Sequence, residues 1–342
     1  MTMRYSLIFV FLLFGVVEAF CDGGSNVYKF LSLPNSAQVA ALGGSNVSLK
    51  NGDVNMAFQN PALLDNELNN SVAVNYVNYL SDVNYGSVAY SRNINTYNSW
   101  AIGVTYLNYG MLDGYTEEDV ETGEFSAGDL CVTALYSRQL FDRIRAGMAL
   151  KPIYSYIDSY SSFGLAVDVG ASYVDTAHAF TMGLVLKNVG VQLTGYYDDE
   201  DSEHRERLPW ELQFGLSKRL SHAPFRFSLT FVDLNRWDLD YYRSPKSASD
   251  ADKDISWGDM FLRHTLVGLE FLPTKSFSLM AAYNHRRSQE YDLEDSKSLN
   301  GFSLGALLNV YKFRLGVAYA QYAAAGNTLT LSLATSLDEF KK

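Results

Sequence analysis

The chain has 342 residues, 27 of them Lys or Arg and 38 Asp or Glu, for a formal net charge of −11 at pH 7. That balance excludes a nucleic-acid backbone as the first partner, because phosphates demand a basic face. A hydrophobic content of 47% with 7 prolines excludes a disordered or Pro-rich chain, and 2 cysteines exclude a disulfide scaffold or a four-cysteine zinc site.

The first element is a leader. Arg4 gives a basic start, residues 7–17 form an apolar run, and Val17-Glu18-Ala19 ends in a small residue. The run is too short to cross a bilayer as a helix, which needs ~20 residues. These parts predict a signal peptide over residues 1–19 and an exported mature protein. Cys21 follows Phe20, which is too bulky for a lipidation site, so it reads as an incidental thiol. Cys131 reads as a small apolar filler of a strand. Every later apolar stretch is interrupted within about ten residues, so membrane insertion must be as a barrel.

Residues 20–70 do not alternate. They contain Ala40-Ala41-Leu42-Gly43-Gly44 and Asn60-Pro61-Ala62. Pro61 after a capping Asn60 is helix-start chemistry. This segment is expected to form a plug, since side chains alone cannot fill a wide barrel.

From residue 71 to the end the pattern has period two. The clearest run places Phe163, Leu165, Val167, Val169, Ala171 and Tyr173 on one face and Gly164, Ala166, Asp168, Gly170 and Ser172 on the other. The same alternation recurs from Trp100 to Tyr106, Phe180 to Leu186, Trp210 to Leu216, Phe277 to Tyr283, Phe302 to Leu308, Phe313 to Tyr319 and Leu329 to Leu333. Bulky faces bounded by aromatics suit a lipid belt, and small faces with Asp129, Asp168, Lys187, Arg226 and Arg314 suit a polar lumen.

The expected fold is therefore all-β, an outer-membrane barrel over residues 71–342 of about 14 antiparallel strands. The strands are read at 71–80, 83–93, 99–109, 125–138, 143–156, 161–174, 178–188, 209–220, 224–236, 260–271, 275–285, 299–310, 312–321 and 326–336. Connections after even strands are short. Four after odd strands are long: 110–124, 189–208, 237–259 and 286–298. This asymmetry puts the long loops outside and both termini in the periplasm of a Gram-negative cell.

The long loops carry acidic groups, including Asp113, Glu117, Glu118, Asp119, Glu121 and Glu124, and the run Asp198-Asp199-Glu200-Asp201. They read as solvated tips, with cation or lipopolysaccharide bridging, or docking of a basic partner, as the alternative. Tyr115, Tyr196, Tyr197, Trp237, Tyr241, Tyr242, Trp257 and Tyr291 also fall in these loops. They are candidates either for gripping a partner or for the outer aromatic girdle or packing within the loops.

Enzyme signatures are weak. The five histidines, at 178, 204, 222, 264 and 285, form no HExxH pair, and no cofactor fingerprint appears, so no metal, cofactor or catalytic residue is expected. Gly301-Phe302-Ser303-Leu304-Gly305 fits G-x-S-x-G, but alternation runs through it and no His follows, so Ser303 reads as a lumen residue.

The segment 28–64, with Ala40–Gly44 and Asn60-Pro61-Ala62, resembles the N-terminal region of FadL-like barrels and their PorV relatives. Further motifs are more specific. They are Asn75-Tyr76-Val77-Asn78-Tyr79-Leu80 with Asn84-Tyr85-Gly86-Ser87, Lys151-Pro152-Ile153-Tyr154-Ser155, and Gly215-Leu216-Ser217-Lys218 with His222-Ala223-Pro224-Phe225-Arg226 and Arg236-Trp237-Asp238-Leu239. Together they resemble the PorQ family of type IX secretion barrels over nearly the whole mature chain. The resemblance implies a non-enzymatic anchor for a PorZ-like surface protein, alongside a PorU-like sortase and a PorV-like barrel. That complex removes a cargo signal and joins cargo to lipopolysaccharide. The second expectation, by analogy with FadL-like barrels, is a channel for hydrophobic small molecules.

Overall fold

A computed structural model describes residues 26–80, 82–115, 121–196, 198–199, 202–203, 205–239, 255–290, 300–323 and 326–341. The leader at 1–19, Cys21, Tyr197, Tyr241, Tyr242 and Tyr291 lie outside these residues. Fourteen antiparallel strands close into one barrel, each pairing with its neighbours in sequence. They are β1 (Ser71–Leu80), β2 (Val83–Asn93), β3 (Asn98–Tyr115), β4 (Glu121–Phe141), β5 (Ile144–Ile157), β6 (Tyr160–Asp175) and β7 (Phe180–Thr194). The rest are β8 (Glu211–Arg219), β9 (Phe225–Phe231), β10 (Thr265–Phe271), β11 (Phe277–Asn284), β12 (Phe302–Val310), β13 (Phe313–Ala323) and β14 (Gly326–Ser336). Pairing of β1 with β14, from Ser71–Ser336 to Asn78–Leu329, closes the ring and leaves no sheet edge.

Alternation sets the two faces. On β6, Ser162, Gly164, Ala166, Asp168 and Gly170 are buried, whereas Phe163 and Val169 are exposed. On β12 to β14, Phe302, Leu304, Leu308, Phe313, Leu315, Val317, Tyr319, Leu329, Leu331 and Leu333 are exposed in the same way. An exposed band this apolar is stable only in a nonaqueous surrounding.

Several sequence boundaries are corrected. The loop expected at 110–124 is mostly a ribbon, because β3 runs on to Tyr115 and β4 starts at Glu121, paired from Met111–Ser126 to Tyr115–Glu121. Strand β7 likewise continues to Thr194, so only part of 189–208 is loop. The strand expected at 224–236 stops at Phe231, since Asp233 has φ 54°, a left-handed conformation that breaks extended backbone. The strand expected at 260–271 starts only at Thr265. Before it stands helix α2, Trp257–Arg263, whose Ser256 side chain accepts from Asp259 N. Beyond β11 the chain turns into helix α3, His285–Glu290.

Residues 26–70 run through the ring. They begin where Val27 N donates to Arg207 O (3.0 Å), in the long β7–β8 connection, and end at the opposite rim, where Asn70 leads into β1. Between these ends, helix α1 (Ala37–Ala41) packs with Leu42, Leu49 and Met56 against Met280, Leu307 and Ala318. Val54, Ala57, Leu64 and Leu68 pack against Ala73, Ala89, Ala101, Leu135 and Ala149. Polar groups reach the wall on several sides. Ala37 N donates to Ser332 Oγ (2.8 Å), Ser45 Oγ to Gln213 (2.8 Å), Arg145 to Leu64 O (2.9 Å) and Tyr85 to Pro34 O (2.7 Å).

The rim where this segment leaves the ring carries a clasp. Asp338 accepts from Asn69 (2.6 Å), Asn70 (2.7 Å) and Lys341 (2.6 Å), and Leu337 N donates to Asn70 O (2.8 Å). The bonds from Lys341, then Asn70 and Asn69, hold the Asp338 carboxyl below its ordinary pKa. A lowered folded-state pKa gives stability that is complete above the unfolded value and is lost as pH falls through the folded one. Asp338→Ala is therefore expected to lower the thermal midpoint at pH 7. Its difference from the parent should close as pH falls below the ordinary aspartate range and through the lowered folded-state pKa. A deficit that persists there would show that packing, not the charge, carries the clasp.

Candidate functional site

The inner segment is positioned by short capped turns. Asp53 caps Val54–Phe58 through Asn55 N (2.9 Å), and Asn60 caps Pro61–Leu63 through Ala62 N (3.0 Å). The second turn rests on wall glycines. A Cβ at Gly147 would meet the Pro61 carbonyl carbon at 2.4 Å, one at Gly170 the Asn60 Oδ1 at 2.0 Å, and one at Gly183 the Val47 carbonyl oxygen at 1.9 Å. Gly147 pairs with Gly170, and Ser172 with Gly183, so these residues form one small-residue band across β5 to β7. Asn60 Nδ2 donates to Val47 O (2.9 Å) and Ala171 O (3.2 Å), and Ser172 donates to Ala62 O (2.8 Å). The expected plug motif Asn60-Pro61-Ala62 is thus buried where the inner segment meets the wall.

Beside this turn lies a cavity of about 60 Å³, between the inner segment and the inner face of β2 to β5 and β7. Its apolar end holds Phe30, Leu31, Leu33, Tyr85, Leu107 and Cys131, part of a buried cluster that includes Tyr28 and Ile153. Its polar end holds Asn35, Asn55, Gln59, Ser87, Lys151 and Lys187. The Lys151 ammonium pairs with Asp168 at 2.5 Å and donates to Asn188 at 2.9 Å. Lys187 lies 4.0 Å from Glu211 and donates to Gln59 at 3.4 Å. Each buried ammonium thus has its own carboxylate, as burial of charge requires. At about 60 Å³ the cavity is well short of the ~300 Å³ of a ligand pocket, so a hydrocarbon fits only if the inner segment moves away from the wall.

The other candidates scatter. Tyr115 is exposed at the end of the β3–β4 ribbon. Tyr196 points inward: its hydroxyl is 2.5 Å from Ser155 Oγ and its ring joins the apolar cluster beside the cavity. Ser155 in turn donates to Asp129, which also accepts from Tyr109 (2.7 Å). Trp237 and Trp257 come together, 6.2 Å apart, on the outer side of α2. Ser303 is buried near the start of β12, on its inner face. Its hydroxyl has no hydrogen-bond partner among the described residues, and the strand-to-helix elbow of a hydrolase is not formed there.

His264 is buried between the carbonyls of Val232 (2.8 Å) and Trp237 (3.1 Å). His285 bonds Asp259 (2.6 Å), which also accepts from Arg263 (2.9 Å). Partial burial opposes the Asp259 charge, but these two bonds outweigh it and hold the carboxyl below its ordinary pKa. Among the described residues, no group of three or more His, Cys, Asp or Glu is placed to hold a metal ion.

Sequence reasoning noted Lys187 as a lumen charge and Lys151 and Tyr85 within motifs, but did not bring them together. Residues 59, 151 and 187 meet only through strand register, which no local spacing reveals.

No protein-family profile matches the chain, and no curated protein matches it by sequence. Solved structures do share its fold. The Ralstonia pickettii toluene transporter TbuX is 11% identical with a TM-score of 0.55, over 90% of this chain and 99% of that one. The Pseudomonas putida toluene transporter TodX is 10% identical with a TM-score of 0.54, over 91% and 98%. A Pseudomonas aeruginosa FadL homologue is 12% identical with a TM-score of 0.51, over 89% and 98%. The chain has the fold of the FadL-like outer-membrane barrels.

Proposed function

We propose that this protein is an outer-membrane barrel that passes small hydrophobic molecules, with its long loops outside and its C-terminus in the periplasm. The periplasmic N-terminus expected from the sequence does not fit residue 26, which bridges to Arg207 at the long-loop rim. The observation that carries the reading is the seam between the inner segment and the wall, where Phe30, Leu33 and Tyr85 line a small cavity with Asn35, Gln59 and Lys187 and which widens if the segment shifts. Two of the barrels that share the fold over about nine-tenths of the chain are described as toluene transporters. The exposed apolar face of the strands matches a bilayer, and the inner segment acts as a plug. Passage then requires residues 26–70 to shift, because they fill the ring. The test is uptake of radiolabelled toluene by cells with and without the protein. Faster uptake with the protein supports the reading, and equal uptake removes it.

A second reading is the anchor for a PorZ-like surface protein, in contact with lipopolysaccharide and indirectly with a PorU/PorV-like complex. It is favoured by the β3–β4 ribbon, which exposes Met111, Leu112 and Tyr115. Under it, the intact protein drawn gently from membranes would carry a large partner in near-equal amount. Recovery of the barrel alone would count against it.

A further inference from the structure

Helix α2 is built inside out for water. Trp257, Gly258, Phe261 and Leu262 are exposed, and residues four apart share one helix face. Met260 and Arg263 are buried, and Asp259 turns inward to Arg263 and His285. A helix in water shows the reverse pattern, with apolar residues toward the protein.

The outward face continues the wall's own apolar surface. Phe214 and Phe231, on the outer faces of β8 and β9, have ring centroids 6.3 Å apart. Phe261 lies 5.7 Å from Phe231, Trp257 lies 5.8 Å from Phe261 with planes 16° apart, and Trp237 lies 6.2 Å from Trp257. One aromatic column therefore climbs from the strands onto the helix.

Strand length explains why a helix stands there. Strands β9 and β10 have 7 residues each, whereas β3 has 18 and β4 has 21. Seven residues at ~3.4 Å give about 24 Å along the strand, or about 18 Å of height at a tilt near 40°. The apolar band of an outer-membrane barrel is ~25 Å tall, so this sector falls short by roughly 7 Å. A helix ~10 Å across makes up that deficit.

We infer that α2 lies at the acyl–headgroup boundary of the bilayer and completes the lipid-facing wall above β9 and β10. Its occupant is lipid, because the column is continuous with the belt and Trp favours that depth. The inference rests on the barrel spanning a membrane, the reading proposed above.

The test keeps Trp257 as the sole indole by replacing Trp100, Trp210 and Trp237 with Phe. A companion keeps only Trp100, which lies on the outward-facing side of β3. Both are reconstituted in phosphatidylcholine vesicles brominated at defined acyl positions. Trp257 should be quenched at least roughly half as strongly as Trp100, most by the shallowest bromines, and should resist aqueous iodide. Quenching of Trp257 by iodide but not by bromine, with Trp100 quenched by bromine, overturns the inference alone. Failure of both indoles to sense bromine overturns the membrane reading itself.

A second variant needs no tryptophan replacement. Gly258→Cys has nothing within 4 Å of the new Cβ, so it can carry a spin label without a clash. Its collisions should favour oxygen over a water-soluble nickel chelate, and the reverse ranking would contradict the inference.

Discussion

Gly183→Val is expected to expel the inner segment from the barrel without dismantling the wall. A Cβ at this position would stand 1.9 Å from the Val47 carbonyl oxygen, and that oxygen is fixed by the Asn60 side chain at 2.9 Å. Neither the strand nor the turn can yield cheaply, because each is tied to its neighbours. Overpacking usually costs ~1–3 kcal/mol, and a clash with held backbone belongs at the top of that range or above it. The strand ladder needs no side chain at Gly183, so β6 to β8 should still pair. The expected result is a barrel that keeps its heat-dependent gel mobility while residues 26–70 become open to protease.

Asn60→Ala approaches the same joint from the other side. It removes three hydrogen bonds, to Ala62 N, Val47 O and Ala171 O, each worth about 1 kcal/mol net, for a loss of about 3 kcal/mol. Gly258→Ala, with nothing within 4 Å, serves as the neutral comparison. If Gly183→Val leaves the segment protected, the glycine band is not what receives it.

The second large effect belongs to the Lys151–Asp168 pair. Its side chains are 8% and 1% exposed, and the charges meet at 2.5 Å. Asp168 also accepts from Asn188 N at 2.7 Å. Lys151→Ala leaves a buried carboxylate with that amide but no cation, which should cost ~3–5 kcal/mol. Asp168→Ala should cost a similar amount by stranding the ammonium. The double variant Lys151→Met/Asp168→Leu removes both charges and keeps apolar volume, so it should recover most of the loss. Urea unfolding of the four proteins in detergent measures the two losses and the recovery. Single variants within about 0.5 kcal/mol of the parent would mean that water reaches the pair.

The strands were legible because a barrel wall has two solvents. Lipid outside and a polar lumen inside force Phe163, Leu165 and Val167 to alternate with Gly164, Ala166 and Asp168, and the sequence carries that period openly. The turn at Asn60-Pro61-Ala62 was legible as a helix start, since Pro follows a capping Asn, but nothing in the sequence marked the glycines of β5 to β7 as the surface it meets.

Helix α2 was missed because apolar residues 260–262 and 266–267 read as one strand. Ser256 with Asp259 three positions later was the available signal, a capping pattern that strand reading ignores. Tyr196 was open in the sequence between partner contact and packing, because its loop position says nothing of the Ser155 hydroxyl it meets 41 residues away. The cavity was hidden for the same reason: Asn35, Gln59, Lys151 and Lys187 become neighbours only after the ring closes.

Under the proposed function, residues 26–70 plug the ring and must move for anything to pass. Tethering helix α1 to the wall tests it most directly. A Cβ on Gly316 would lie 3.1 Å from that of Ala37, so a small shift brings the pair into the ~3.5–4.5 Å range of a disulfide. In cells producing Ala37→Cys/Gly316→Cys, the bridge should form, hydrocarbon tracer uptake should fall to the level of cells lacking the protein, and reductant should restore it. Uptake that is equally fast with the bridge intact would show that passage does not need residues 26–70 to move.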